Sequence, residues 1–455
     1  MNLTKFETYL QSLQGKRILV LGLGVSNRPL MRLLLEHGLQ VTGCDKREAP
    51  DAELLEFAQM GATLKLGPDY LENLEGDVVF RTPGMRPDHP AILSLVAKGT
   101  VLTSEMEAFF SVCPCQMIAV TGSDGKTTTT TLISEMLRAA GKTVWVGGNI
   151  GQPLLDQTPK MTQDDFAVLE LSSFQLMTMQ QSPHIAVITN LAPNHLDIHR
   201  DMAEYTAAKE NIYLHQNSED ALILNADNAV TRSFAVKAKG SVRMFSRTER
   251  AFVWLDGEIV RRENGEEVLN RKEIRLPGLH NVENYMAAIA AVAGLVPDAV
   301  IRQLAADFGG VEHRIELVRV KDNVRYYNDS IASSPTRTIA GLRSFAEKII
   351  LIAGGYDKHI PYDVLGPEIT AHVKLLVLTG ATAPKIREAV LAAPDYQPGK
   401  PEILEIADFY EAIRTAAARA QAGDVVMLSP ASASFDRFRN FMERGNEFKK
   451  TVMEL

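Results

Sequence analysis

The stretch TGSDGKTTTTTL, residues 121–132, sets glycine, lysine and hydroxyl side chains in the order that phosphate chemistry needs. An apolar run, Met117-Ile118-Ala119-Val120, leads into it, and Leu132, Ile133, Met136 and Leu137 follow at helical spacing. A strand, a glycine-bearing turn and a helix bring backbone N–H groups and a helix N-terminus to one anion. Lys126 adds a charge that reaches phosphate oxygens, and the Thr127 hydroxyl suits a magnesium ion. The spacing departs from the usual G-x-x-x-x-G-K loop, because Val120 stands at the first glycine position. A Gly/Ser/Thr-rich helix start with no ligand is the plain alternative. GKT directly after an apolar strand favours nucleotide binding over it.

Other polar residues close apolar strands in the same region. Glu170 interrupts Val168-Leu169-Glu170-Leu171; a carboxylate buried there without a partner would cost several kcal/mol, so magnesium is a natural partner unless Glu170 faces solvent. Asn149, after the segment 143–148, either donates to phosphate or serves as a turn asparagine. LAPNHLDIH holds His195, Asp197 and His199, spaced like a metal cluster, with His195 alone as the modest metal-ligand reading. Lys209, in the helical EYTAAKENIY, reads as a surface lysine. Further on, Asp329 at the end of the strand VRYYND could bind ribose or base, and Arg314 could stabilise transferring phosphate charge; a helix cap or a surface ion pair would use the same residues. Lys358 follows Gly354-Gly355, where a carboxylate could bind. Ser432 and Ser434 precede an aromatic segment, 435–441, read as a helix whose N-terminus suits an anion.

These residues need a frame of strands and helices. RILVLGLGVSN, QVTGCD and DVVFRTPG alternate with helical stretches and predict a parallel sheet with ligands at the strands' carboxyl ends. Gly22 and Gly24 fit a dinucleotide fingerprint, but Asn27 replaces its third glycine, so nucleotide use is favoured with NAD as the lesser reading. The middle strands are TVWVGGN, FAVLELSS, IAVITN and ALILNAD. SVRMFS, AFVWLDGEIV and EEVLNRKEIRL read as an antiparallel β patch laid against that sheet. Helices follow near His280 and over 298–307. KIILIAGG, VKLLVLTG, PEILEI and DVVMLSP then predict a third open α/β sheet.

Bulk properties agree. A chain of 455 residues, 45% hydrophobic and 23% charged, is a soluble globular protein of two or three domains. A net charge of −8 argues against a broad nucleic-acid surface. Cys44, Cys113 and Cys115 set no disulfide or metal framework. No apolar run approaches the ~18 residues of a membrane span, and the N-terminal stretch lacks signal-peptide features. A cytoplasmic protein with no membrane insertion is expected.

Together these segments resemble the Mur ligase family, which adds amino acids to the cell-wall precursor, from about Gly15 to the C-terminus. The family-wide marks are TGSDGKTTT, GGNIG, LELSSFQL, NHLDIH, LPGLHNVENYMAA and HRIE. GLGVSN, the TPG turn at 82–84 and SPASASFDRFRNFMERGNEF point to the branch that adds D-glutamate to UDP-N-acetylmuramoyl-L-alanine; the DNPR motif of diamino-acid ligases is absent. The resemblance implies an α/β chain of three domains. A Rossmann-like UDP-substrate domain would span 1–104 and a P-loop-type ATP-binding domain with the small β patch 105–310. A Rossmann-like amino-acid domain would span 311–455.

It also implies roles. Val25, Ser26, Asp45, Lys46 and Arg47 would surround uridine, with Thr82, Gly84, Asn149 and His195 near the diphosphate and its metal. Gly122, Ser123, Asp124, Gly125, Lys126, Thr127 and Thr128 would hold the ATP phosphates, joined by Asn284, Arg314 and Asp329. Thr127, Glu170, His195 and a carbamylated Lys209 (N6-carboxylysine) would serve two magnesium ions. Ser333, Lys358, Ser434, Phe435 and Phe441 would form the D-glutamate pocket. Ile331 stands where the family's DSKATN run has lysine, and Ser333 and Thr82 are hydroxyl-conserving replacements.

The implied reaction is amide ligation by a monomer. The alanine carboxylate attacks the ATP γ-phosphate, and the amine of D-glutamate then attacks the acyl phosphate. Positioning and charge neutralisation carry such chemistry, with Lys126, Arg314, His195 and Lys209 at its centre. ATP residues from two domains imply closure on the substrates. Folylpolyglutamate synthase uses the same chemistry but usually lacks a GLGVSN domain. A regulatory ATPase is the alternative of a different class; Lys209 and SPASASFDRF favour the ligase.

Overall fold

The computed structural model describes residues 3–24, 26–193, 198–358 and 360–455, arranged as α/β structure around three sheets. They form two compact units, Met1–Arg271 with Glu283–Leu304, and Lys272–Val282 with Ala305–Leu455. The second unit therefore takes in a stretch before residue 311: the Arg275 N–H bonds the Ala305 carbonyl, and Leu276 packs against Gly310.

The first unit holds two sheets. One comprises β1 (Arg17–Leu21), β2 (Gln40–Asp45), β3 (Thr63–Leu66), β4 (Val78–Arg81) and β5 (Val101–Thr103), in the order β3-β2-β1-β4-β5. All its pairings are parallel. β1 and β4 are central and buried on both faces, so they read as continuous apolar runs. β3 and β5 are short, half-exposed edges of mixed composition and escape sequence reading. Chain order reverses between β1 and β4, so Leu21 and Arg81 flank the switch point at which sheets of this kind bind ligands.

The other sheet has nine strands: β6 (Gln116–Thr121), β7 (Val144–Gly148), β8 (Phe166–Glu170), β9 (Ile185–Ile188), β10 (Ala221–Asn225), β11 (Ser241–Ser246), β12 (Val253–Asp256), β13 (Ile259–Arg262) and β14 (Glu267–Asn270). Their order is β14-β13-β12-β11-β10-β9-β6-β8-β7. SVRMFS is not part of an antiparallel patch: as β11 it pairs in parallel with both β10 and β12. The antiparallel pairings described in this sheet are β12–β13 and β13–β14, and these strands extend the edge of the main sheet rather than lying on it. The helix Lys126–Ala139 buries Leu132, Ile133, Met136 and Leu137.

The second unit contains β15 (Glu316–Lys321), β16 (Val324–Asn328), β17 (Ile349–Ala353), β18 (Val373–Leu378), β19 (Glu402–Glu405) and β20 (Val425–Leu428), ordered β15-β16-β20-β17-β18-β19. All pairs are parallel except β15–β16, a hairpin turned by Asp322 and Asn323, both at positive φ. Residues 435–440 are not helical. The helix is Phe441–Glu454, because Asn440 caps it by accepting from the Glu443 N–H at 2.9 Å. Among the described residues no helix is long and apolar enough to cross a membrane.

Candidate active site

The loop 122–125 joins β6 to the helix Lys126–Ala139. Val120 lies inside β6, paired with Glu170 and Val187, so this loop is too short to need the missing glycine. The remaining glycines are required. Gly122 has φ 149° and a Cβ there would run into Thr189 Oγ1; Gly125, at φ 76°, would run into Asn284 Oδ1. β9 supplies a brace that sequence reading missed. The Asn190 carbonyl accepts from the Ser123 N–H at 3.0 Å, Asn190 Oδ1 accepts from the Asp124 N–H at 2.9 Å, and Thr189 Oγ1 donates to the Asp124 carbonyl at 2.5 Å. Ser123 Oγ also donates to the Ala192 carbonyl at 2.8 Å, so it positions the loop. The helix then starts on left-handed Gly125 with no side-chain cap, which leaves its dipole to an incoming anion. Thr127 is half-buried and Thr128 buried in its first turn. Thr129 Oγ1 lies 3.3 Å from Asn284 Oδ1, which places Asn284 beside the loop.

Two lysines meet on one carbonyl. Lys126 Nζ donates to the Gly122 and Ser123 carbonyls, each at 2.9 Å, and Lys209 Nζ donates to the same Gly122 carbonyl at 2.9 Å and to Thr121 Oγ1 at 3.1 Å. Lys209 is no surface lysine: it is 1% exposed, under the Tyr205 ring. Burial, reinforced by the Lys126 charge, pushes its amine well below the ordinary lysine range against the pull of Glu170 and Asp124.

Glu170 ends β8, 2% exposed. Its Oε1 accepts from Asn149 Nδ2 at 2.7 Å, so Asn149 orients the carboxylate. Glu170 Oε2 is buried with no hydrogen-bond partner, an orphan that suits an oxygen-seeking cation. Groups of three or more His, Cys, Asp or Glu able to hold a metal are absent among the described residues; His195 and Asp197 lie outside them. His199 is a packing residue rather than a ligand, stacked on Phe174 with Nε2 2.8 Å from Ser173 Oγ.

The N-terminal crevice is equally built. Gly22, at φ 82°, lets the 82–84 turn approach: a Cβ would lie 2.6 Å from Thr82 Cγ2. Asn27, in place of the third glycine, ties the loop by donating to the Leu21 and Gly22 carbonyls at 3.2 and 2.8 Å. Asp45 accepts from the Leu23 N–H at 2.6 Å and from Arg47 Nε at 3.2 Å. Burial opposes its ionisation, but these bonds and the Arg47 charge hold it below the usual carboxylate range. Ser26 and Arg47 are half-buried and Lys46 and Gly84 exposed; Val25 lies outside the described residues.

In the second unit Asp329 follows β16, fully buried, accepting from Ser429 Oγ at 2.7 Å and from the Ile315 N–H at 3.3 Å. Burial raises its carboxyl to about 7 against the pull of Ser429 and Arg314. Arg314 Nε is buried without a hydrogen-bond partner. The Ile331 carbonyl accepts from Arg337 at 3.2 Å. Arg444, which sequence reading missed, joins two strand-end loops by donating to Ser330 Oγ and to the Ser330, Ser432 and Ala433 carbonyls. Ser333 and Ser434 sit on those loops, half-buried and buried. Ser432 is spent on Tyr362 and Thr382, both at 2.8 Å. Phe435 is 62% exposed and meets the Tyr356 ring edge-on at 5.9 Å, Phe441 meets His313 at 6.0 Å, and Lys358 is exposed.

Comparison with known proteins agrees with this layout. The Mur ligase middle domain matches residues 120–292, and the Mur ligase glutamate ligase domain matches 313–432. The UDP-N-acetylmuramoylalanine–D-glutamate ligase of Acetivibrio thermocellus is 52% identical, over 99% of this chain and 98% of its own. Its namesake from Ruminiclostridium cellulolyticum is 49% identical, over 99% of both chains. Among solved structures, UDP-N-acetylmuramate-alanine ligase from Thermotoga maritima shares the fold at TM-score 0.60 and 18% identity, covering 96% of this chain and 99% of its own. With full-length relatives at about half identity and both domain matches in place, the chain belongs to the Mur ligase family.

Proposed function

We propose that the chain joins D-glutamate to UDP-N-acetylmuramoyl-L-alanine at the expense of ATP, as an ADP-forming ligase of the peptidoglycan pathway. It would work as a cytoplasmic monomer, with modules at 1–104, 105–310 and 311–455. The observation that carries the reading is the convergence of Lys126, Lys209 and Glu170 at the ends of β6 and β8. That arrangement suits an ATP γ-phosphate facing an acceptor carboxylate.

In this reading the loop 122–125 and the first turn at Lys126, Thr127 and Thr128 bind the ATP phosphates, with Asn284 beside them and Arg314 and Asp329 serving the nucleotide from the second unit. The orphan oxygen of Glu170 fits magnesium, and Thr127, His195 and modified Lys209 would complete the ligands of two ions. Bound magnesium would neutralise phosphate charge. Burial and the Lys126 charge disfavour the Lys209 ammonium, and the neutral amine is the form that can attack carbon dioxide; loss of one proton then leaves an N6-carboxylate.

The substrate carboxylate displaces ADP from the γ-phosphorus to give an acyl phosphate. The amine of D-glutamate adds to the acyl carbon, loses a proton and expels phosphate, leaving the amide. Ser26, Val25, Asp45, Lys46 and Arg47 would take the uridine, and Thr82, Gly84, Asn149 and His195 the diphosphate. Ser333, Lys358, Ser434, Phe435 and Phe441 would take D-glutamate. A coupled ADP assay with D-glutamate, L-glutamate and D-aspartate on the UDP-linked acceptor tests the assignment. Turnover with D-glutamate is expected; equal turnover with L-glutamate would contradict it.

A further inference from the structure

We propose that Arg81 is a positioning residue that fixes the 82–84 turn against the sheet carrying Glu170, so that the acceptor's diphosphate is held in register with the phosphate loop. The inference rests on the proposed assignment of that turn to the UDP-linked substrate. Arg81 ends β4 at the N-terminal crevice, where a cation would ordinarily face a bound anion. Instead it is 1% exposed. Nη1 donates to the carbonyls of Thr82 at 3.3 Å, Pro83 at 3.2 Å and Met85 at 2.6 Å. Nη2 donates to the Phe174 carbonyl at 3.0 Å and to Thr178 Oγ1 at 3.3 Å. One planar fork thus holds the turn on one side and the segment just past β8 on the other, a task an ammonium group cannot reproduce.

The peptide geometry gives this contact a consequence for binding. In a trans peptide the carbonyl and the following N–H point in opposite directions. Drawing the Pro83 carbonyl onto Arg81 turns the Gly84 N–H to the other side of the turn, where Gly84 is exposed. Three carbonyl dipoles that would repel a diphosphate are occupied by Arg81, and an N–H donor is presented in their place. The cost is visible. Arg81 Nε is buried without a hydrogen-bond partner, and charge compensation comes from Glu107, which accepts from Thr178 Oγ1 at 3.3 Å. A second clamp lies at the rim, where Arg86 pairs with Glu204 at 2.7 Å on Met202–Leu214, the helix of Lys209. The turn is therefore tied both to the segment that follows Glu170 and to the helix that carries Lys209.

The test uses the full chain. Wild type first has to turn over ATP to ADP only with acceptor and D-glutamate both present; failure there removes the ligase reading before Arg81 is addressed. Affinity for UDP-N-acetylmuramoyl-L-alanine is then measured by calorimetry without ATP, beside KM values for ATP and D-glutamate. Arg81→Met is expected to weaken acceptor binding about tenfold, or ~1.4 kcal/mol, with the other two KM values within about twofold. Arg81→Lys should recover part of the loss, and Thr178→Val should lose about twofold to threefold. Unchanged acceptor affinity with a lowered Tm, or equal weakening for all three substrates, would overturn the proposal. If Arg81→Met does not fold, unchanged acceptor affinity in both Arg81→Lys and Thr178→Val overturns it.

Discussion

Lys209, on a helix of the first unit with its Nζ at the end of β6, and Asp329, just past β16 in the second, are both buried among phosphate-binding candidates, and burial drives both towards neutrality from opposite sides. The surroundings differ. Lys209 shares the Gly122 carbonyl with a second lysine, whose charge adds to burial in disfavouring the ammonium against the pull of Glu170 and Asp124. Asp329 has Ser429, the Ile315 N–H and the Arg314 charge, so its neighbourhood retains part of the anion that burial would remove. Burial beside a second lysine disfavours the Lys209 ammonium, whereas the Asp329 carboxyl is kept on the edge of ionisation. Burial by itself distinguishes neither use; the partners do.

The comparison breaks most visibly at Lys209. Lys209→Ala should lower kcat by about 10²–10³, with part of the loss recovered by added short-chain carboxylic acids. Full activity without them would remove the role assigned to the modified lysine.

A smaller loss is expected in the second unit from Arg444→Met, which strips donors from the Ser330, Ser432 and Ala433 carbonyls. Urea unfolding should show that unit weakened by about 3 kcal/mol, with a raised KM for D-glutamate. An unchanged KM would separate Arg444 from the amino-acid pocket.

The pH dependences sharpen the contrast, because their signs are opposite. Asp329 titrates near 7 folded against 3.8 unfolded, so the native state holds the extra proton between those values. Its stabilising contribution is whole below the unfolded value and lost as pH rises through about 7. Asp329→Asn should therefore gain on wild type by about 1–3 kcal/mol between pH 5 and pH 8. For Lys209 the unfolded chain holds the extra proton below 10.5, so wild-type stability rises with pH towards that value. In buffer free of carbon dioxide, the advantage of Lys209→Met should grow as pH falls towards neutral. Parallel slopes for the two variants would contradict the assignment of the two sites.

The smallest effect is expected at Gly125. An alanine there costs about 1–2 kcal/mol from the left-handed backbone, and its Cβ would displace Asn284. A severalfold rise in ATP KM should accompany that loss, and an unchanged ATP KM would detach Asn284 from the nucleotide.

What could be read from the sequence was the local signal. Strand–turn–helix patterning around GKT places the loop between β6 and the helix Lys126–Ala139, and the spans near His280 and over 298–307 coincide with the helices Leu279–Ala291 and Asp298–Asp307. Edge strands β3, β5 and β15 were not legible, because partial exposure leaves neither a continuous apolar run nor a clean alternation. Buried charges were illegible for a different reason. Lys209 and Arg444 sit in polar helical segments and Arg81 closes an apolar strand, and the burial of all three charges comes from partners remote in the chain, as Gly122, Phe174 and Ser330 demonstrate. The segment 435–440 misleads by composition: its aromatic residues suggest a helix, but the capping geometry begins only at Asn440.

The central claim is that ATP cleavage here is coupled to amide formation. ADP release and amide product are to be measured together, with UDP-N-acetylmuramoyl-L-alanine and D-glutamate each supplied or withheld. The account predicts continued ADP turnover only when both are present, with one amide formed for each ADP and no more than one ADP per enzyme when D-glutamate alone is withheld. ADP released at the same rate without either substrate would contradict it.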